Sequence, residues 1–172
     1  QAAVVKHYTV PARTRLTIWV NQEDPALGAG EMSGVITSTN GVPIIVERAM
    51  YLTTGGLFYG AGHESAGITA PATQWFFAEG ATGDFFDLFV LIANPTATDA
   101  QVQVTYLTVD GTTYGRTLTA PATSRSGIWV DEETFTGVAG KPLADAAVST
   151  TVQSINNVPL VVERAMWWPG DS

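Results

Sequence analysis

The feature that most constrains this 172-residue chain is that it repeats itself. A block running from Pro11 through Ile18 and Trp19 to Val20 returns 110 positions later, from Pro121 through Ile128 and Trp129 to Val130. A second block, Val42 to Met50, returns 116 positions later as Val158 to Met166, with Glu47-Arg48-Ala49 matched by Glu163-Arg164-Ala165. The drift between offsets places six extra residues in the second copy, near 134–145. Two blocks in the same order with loop-sized drift mark a duplication, and a period of about 110 suits a sandwich domain of about 100 residues. Ankyrin, tetratricopeptide and leucine-rich units are far shorter. The copies are unequal: residues 75–168 form a whole repeat, whereas residues 1–51 match only its second half, position 1 aligning with Gly111. The expected division is therefore a half repeat over 1–51, a connecting hairpin or linker over 52–74, and a complete repeat over 75–172.

Hydrophobic periodicity reads as strand throughout. Between Ala100 and Leu107 the valines Val102 and Val104 and Tyr106 face one way, while Gln101, Gln103 and Thr105 face the other. Leu88 to Ala93 is an unbroken apolar run closed by Asn94-Pro95, as expected of a central strand buried along its length. Trp75-Phe76-Phe77-Ala78 reads as the first strand of the complete repeat. Asn40-Gly41, aligned with Asn156-Asn157, gives a hairpin signal needing positive φ, and Asp110-Gly111 gives another. Pro43 and Pro159 fall at the start of a last strand, where a missing donor is tolerated best. Helix is confined to single turns, one at Asp24-Pro25-Ala26-Leu27 and another within 134–145. The pattern predicts an all-β chain of immunoglobulin-like antiparallel β-sandwich repeats, one complete unit plus one half unit, with about seven strands in the first and about four in the second.

Composition narrows the function classes. Charged residues make up only 14% of the chain and acidic ones outnumber basic ones sixteen to eight, for a net charge of −8. No basic run exists to neutralise a phosphate backbone or an anionic bilayer, so neither nucleic acid nor a membrane surface is an expected partner. No apolar run approaches the ~20 residues of a spanning helix. Cysteine is absent, which removes disulfides, thiolate metal sites and cysteine nucleophiles together.

Trp75 to Thr82, Leu91 to Pro95, and Val161 to Met166, the last also present as Ile45 to Met50, form a set of three motifs. They resemble those of a family of tandem immunoglobulin-like repeats of unknown function in large exported bacterial surface proteins. His63-Glu64-Ser65, between Gly62 and Ala66, belongs to the same set. The resemblance implies an extracellular or cell-surface setting and a multi-repeat parent, and it carries over no catalytic residue.

The polar candidates each have a bland reading. Neighbours on a strand point to opposite faces, so Glu47-Arg48 and Glu163-Arg164 read as ion pairs or backbone clamps and not as catalytic pairs. His63-Glu64-Ser65 holds the letters of a hydrolase, but triad members are brought together by folding, and no Gly-x-Ser-x-Gly elbow occurs. Two acidic groups, Glu79, Asp84 and Asp87 at one strand end and Asp131, Glu132 and Glu133 at another, are the candidates for calcium. Neither has the spacing of a known calcium loop, and solvated acidic loops are the competing reading. No other cofactor is expected. Trp167, Trp168, Tyr51, Phe58 and Tyr59 form a candidate sugar-stacking platform, against packing of a neighbouring module. The chain therefore reads as a structural or adhesive module and not an enzyme, its partners being other copies of itself, neighbouring repeats or surface glycans. The alternative is a carbohydrate-binding module. The half repeat carries a further expectation. Its apolar residues Ile18, Val20, Ile44 and Val46 need strands from another chain or an upstream piece, which would link units into a fibre, unless 52–74 folds back to cover them.

Overall fold

In a computed structural model, residues 3–54 and 57–167 are described. The chain divides into two compact bodies, Gln1–Ile36 and Thr37–Ser172.

Among the described residues, strand structure lies wholly in the second body. It comprises β1 (Glu47–Thr54), β2 (Leu57–Ala66), β3 (Gln74–Phe77), β4 (Asp87–Asn94), β5 (Ala100–Thr108), β6 (Thr113–Ala120), β7 (Ser124–Trp129), β8 (Val148–Ser154) and β9 (Val161–Trp167). Every pairing is antiparallel. Strands β3 to β9 form a four-stranded sheet ordered β3-β8-β5-β6 and a three-stranded sheet ordered β7-β4-β9; this stretch is called the complete repeat after its sequence match. The two sheets share one core. Leu88, Val90, Ile92, Ile128 and Val162 come from the smaller sheet, and Val102, Val104, Tyr106, Val148 and Val152 from the larger. On β5 the expected alternation holds, with the Val102, Val104 and Tyr106 side chains buried and the glutamines outward. On β4 only the even-numbered residues are fully buried, while Phe89, Leu91 and Ala93 are half-buried on the outer face. Its unbroken apolar run thus belongs to a centre strand with one covered face.

The strand order corrects the immunoglobulin expectation. An immunoglobulin sandwich groups its strands, counted in chain order, as 1-2-5-4 and 3-6-7; here the groups are 1-6-3-4 and 5-2-7. A consequence follows for the ladders. Taking β3–β5 as the early half and β6–β9 as the late half, with the Asp110-Gly111 turn between them, all five ladders join an early strand to a late one. The isolated bridges Ala72↔Leu160 and Ala81↔Ala147 obey the same rule. Within the repeat, no late strand pairs with another late strand.

The turns follow their chemistry better than their predicted pairings. Gly111 has φ +85° and closes a true β5–β6 hairpin. Gly41 and Asn157 also adopt positive φ, at 75° and 59°. The strands around Asn157, however, belong to different sheets, so its turn is a corner and not a hairpin. The Asn156 side chain explains the corner, since its Oδ1 accepts from the Gln101 amide at 2.9 Å and its Nδ2 donates to the Asp99 carbonyl at 2.9 Å. Val158 and Leu160 then enter the core.

The half repeat is the second correction. About four strands were expected in residues 1–51, and among the described residues only β1 forms, at the very end of that span. The first body contains a helical turn at Val20–Glu23 and a 3₁₀ turn at Pro25–Leu27, the latter capped by the Asp24 carboxylate accepting from the Ala26 amide at 3.0 Å. The early–late rule supplies the reason. By the two offsets, residues 3–10, 14–19, 32–38 and 45–51 are counterparts of β6, β7, β8 and β9. All four are late strands, and in the complete repeat none of these is hydrogen-bonded to another.

Candidate interaction surface

The same apolar positions meet opposite fates in the two copies. Ile128 is 6% exposed and its counterpart Ile18 36%; Val130 is 0% and Val20 45%; Val152 is 0% and Ile36 61%. Leu160 is buried while Ile44 is exposed. Exposed apolar residues of this kind are candidates for contact with a partner or for aggregation. Trp129 ends strand β7 whereas its sequence counterpart Trp19 lies in no strand, and both are exposed. Trp129 stacks on Phe89 with ring centroids 5.7 Å apart.

Residues 52–74 fold back only in part. β2 pairs with β1 in the register Arg48↔Ser65 and Met50↔His63, and it lies beside β9 on the free edge of the three-stranded sheet. A polar latch holds it there. The Arg48 guanidinium meets the Glu163 carboxylate at 2.9 Å, and the Ser65 hydroxyl donates to Glu163 at 3.2 Å. His63 lies against Trp167, ring centroids 6.3 Å apart. Burial, followed by the nearby Arg48 cation, lowers the His63 pKa. Residues 63 to 66 also line an open groove of about 510 Å³ with Trp75, Phe77 and Arg164. Thus Arg48 of the first copy grips Glu163 of the second, and His63 and Ser65 serve this junction. His63 Nε2 is buried and has no hydrogen-bond partner among the described residues. Arg164, the counterpart of Arg48, donates instead to the Glu79 carbonyl at 2.5 Å and approaches the Glu79 carboxylate at 3.4 Å.

The calcium candidates are largely engaged with protein groups. Asp131 is buried, its two oxygens accepting from the amides of Gly83 at 3.2 Å and Leu88 at 3.0 Å. Glu132 pairs with Lys141, and Glu133 with Arg116 at 2.6 Å. Asp84 is exposed. Asp87 sits near Asp131 and takes a hydrogen bond from Trp129; burial and the Asp131 charge raise its pKa. The structure brings Asp87 and Asp131 together, but among the described residues no group of three or more acidic or histidine side chains is placed to hold a metal. Loop spacing alone gave no sign that Asp131 would clamp backbone amides 43 and 48 positions away. Of the aromatic candidates, Tyr51 and Phe58 are exposed and Trp167 is half-buried; Trp168 and the Tyr59 side chain lie outside what is described.

Comparison with known proteins adds little. No family model matches the chain. No curated protein matches it either. Among solved structures, the Anabaena sensory rhodopsin transducer is similar over 58% of this chain and 92% of its own, at 26% identity and a TM-score of 0.47. Thermotoga maritima 1070 is similar over 59% of this chain and 98% of its own, at 16% identity and a TM-score of 0.43. Both scores are too low to carry a property of either protein across.

Proposed function

We propose that the chain is a structural repeat module of an extracellular or cell-surface array, in which a late half is completed by complementary strands. The observation that carries this reading is the contrast between the two copies: the sequence repeats, yet only the copy that has early strands forms a sandwich. The low charge and the resemblance to exported repeats support the setting. The Arg48–Ser65–Glu163 latch supports the array, because it joins the last strand of one copy to the last strand of the next. A contact between non-identical patches of that kind runs on from unit to unit unless its rotation closes a ring, which suits a linear assembly.

The test is to extend the chain with a second copy of residues 72–110 placed ahead of residue 3. Completion predicts that amides in 3–46 gain hydrogen-exchange protection and that a second cooperative unit appears in denaturant unfolding. No gain in protection would contradict the reading.

A further inference from the structure

The two sheets of the complete repeat turn unlike faces outward. On the four-stranded sheet the outward positions are the odd-numbered residues of β5, β6 and β8 and the even-numbered residues of β3, since their neighbours along each strand pack into the core. Read along those strands, the outward residues are glutamine, threonine and serine together with Gly115, Phe76 and Leu107, and not one is charged. The outer face of the three-stranded sheet carries Asp87, Arg125 and Glu163. The chain as a whole has a net charge of −8, so a sheet face free of charged side chains stands out from the rest of its surface.

The face is also flat and ordered. Cross-strand pairing aligns Gln74, Gln153, Gln103 and Thr117 in one row and Phe76, Thr151, Thr105 and Gly115 in the next. The Gln103 side chain lies down on the sheet. Its Oε1 accepts from the Thr117 hydroxyl at 2.9 Å, and its Nε2 lies only 3.0 Å from where a Cβ on Gly115 would stand. The Thr119 hydroxyl donates to Gln101 Oε1 in the same way, at 3.3 Å. Phe76 stays 70% exposed and Leu107 45% exposed.

We infer that this face is a contact between two copies of the chain, related by a two-fold axis and held weakly and reversibly. A two-fold contact sets one patch against itself. Charges of one sign on such a patch meet their own kind, which is strongly disfavoured. Amides and hydroxyls each offer both donor and acceptor, so a face of glutamine and threonine is complementary to itself. The exposed rings and methyls of Phe76 and Leu107 add the apolar area that a polar lattice lacks. Size sets the strength. Four strands at the usual spacing span about 19 Å, and the seven residues of β8 span about 24 Å, which gives a patch of about 450 Å² on each copy. A dimer would bury about 900 Å² in all, in the range of transient encounters and short of a permanent interface. The inference uses only β3 to β9 and is independent of the strand completion proposed above.

Sedimentation equilibrium of the full chain from about 10 μM to about 1 mM spans the affinities expected of so small a contact. The weight-average mass should climb from 18.2 kDa towards twice that value. Thr105→Lys and Thr105→Glu place a charge near the middle of the face, and each should weaken dimerisation at least about tenfold. An equimolar mixture of the two should restore it, because opposite charges then meet across the axis. Thr151→Lys and Thr151→Glu, on the adjacent strand, repeat the test, and an unchanged denaturant midpoint shows that each variant is folded. Self-association that none of these charges alters would assign the contact to another surface and overturn the inference. A mixture no tighter than its separate components would overturn it as well. So would a chain that stays monomeric over the whole range, whether the face is left bare or is taken by a different molecule.

Discussion

The two copies of one sequence block teach what decides whether a strand forms. Around Ile128 and Val130 the chain is laddered to β4 and packed into a core; around Ile18 and Val20 nearly the same residues are exposed and pair with nothing in a sheet. Local propensity is the same in both, so propensity does not explain the difference. What differs is the availability of early strands. β-Propensity largely measures cross-strand and same-face neighbours, and in this fold all such neighbours of a late strand within its sheet are early. A late half on its own has apolar alternation and no ladder partner.

The largest expected effect breaks the comparison at the core. Val152→Asp puts a carboxylate into a fully buried position of β8 and should destabilise the complete repeat by about 4 kcal/mol. The counterpart Ile36→Asp, at an exposed position, should cost less than about 0.5 kcal/mol in the isolated chain. Denaturant unfolding followed by tryptophan fluorescence measures both. Equal losses would mean that the first copy is packed as the second is.

Much of the complete repeat was legible in the sequence, for a physical reason. Period-2 alternation over 100–107 and the apolar run 88–93 are local signals, and both elements form where those signals lie. So does the Asp110-Gly111 hairpin. Pairing across the two sheets is not local. The corner at Asn157 has the same backbone signal as a hairpin, and long-range bonds, from Asn156 to residues 99 and 101 and from the Ile155 amide to the Gln101 carbonyl, anchor it as a crossover. For the same reason the expected four strands of the half repeat failed, because their partners are set by a strand order that no short window contains. The junction was half visible. The repeated Glu-Arg pair was singled out, but its cross-copy pairing of Arg48 with Glu163 needed β2 to fold back beside β9.

A smaller effect sharpens the comparison at the loops. Asp131 accepts two backbone amides from the start of the early half, so Asp131→Ala leaves both without that acceptor and should cost about 2 kcal/mol. Its first-copy counterpart is Asn21, in the exposed turn at Val20–Glu23. Asn21→Ala should be close to neutral in the isolated chain, within about 0.5 kcal/mol. Thermal unfolding of the two variants decides the matter, and a comparable loss at Asn21 would show that the first copy already holds an early-type loop.

The smallest effect concerns the hairpin that joins the copies. His63 faces Arg48, Arg164, Glu163 and Glu64, and its pKa is lowered when docked, chiefly by burial. The docked state therefore binds its proton less readily than the open state. Docking should be at full strength above pH about 6.5. It should weaken as pH falls from the ordinary histidine value towards the depressed one, and level off below that. Hydrogen exchange of residues 62–66 at pH 7.5 and 5.5 should show the loosening, and His63→Gln should flatten it. An unchanged pH dependence in His63→Gln would assign the effect to another group.

The account rests on the claim that a late half has no ladder of its own, and one measurement addresses it most directly. Native-state hydrogen exchange on the isolated 172-residue chain can be compared at equivalent amides: Ile18 with Ile128, Ile36 with Val152, and Tyr8 with Leu118. The account predicts strong protection at Ile128, Val152 and Leu118, each in a laddered strand, and exchange near the unprotected rate at Ile18, Ile36 and Tyr8. Matching protection in the two copies, in a monomer of 18.2 kDa, would contradict it.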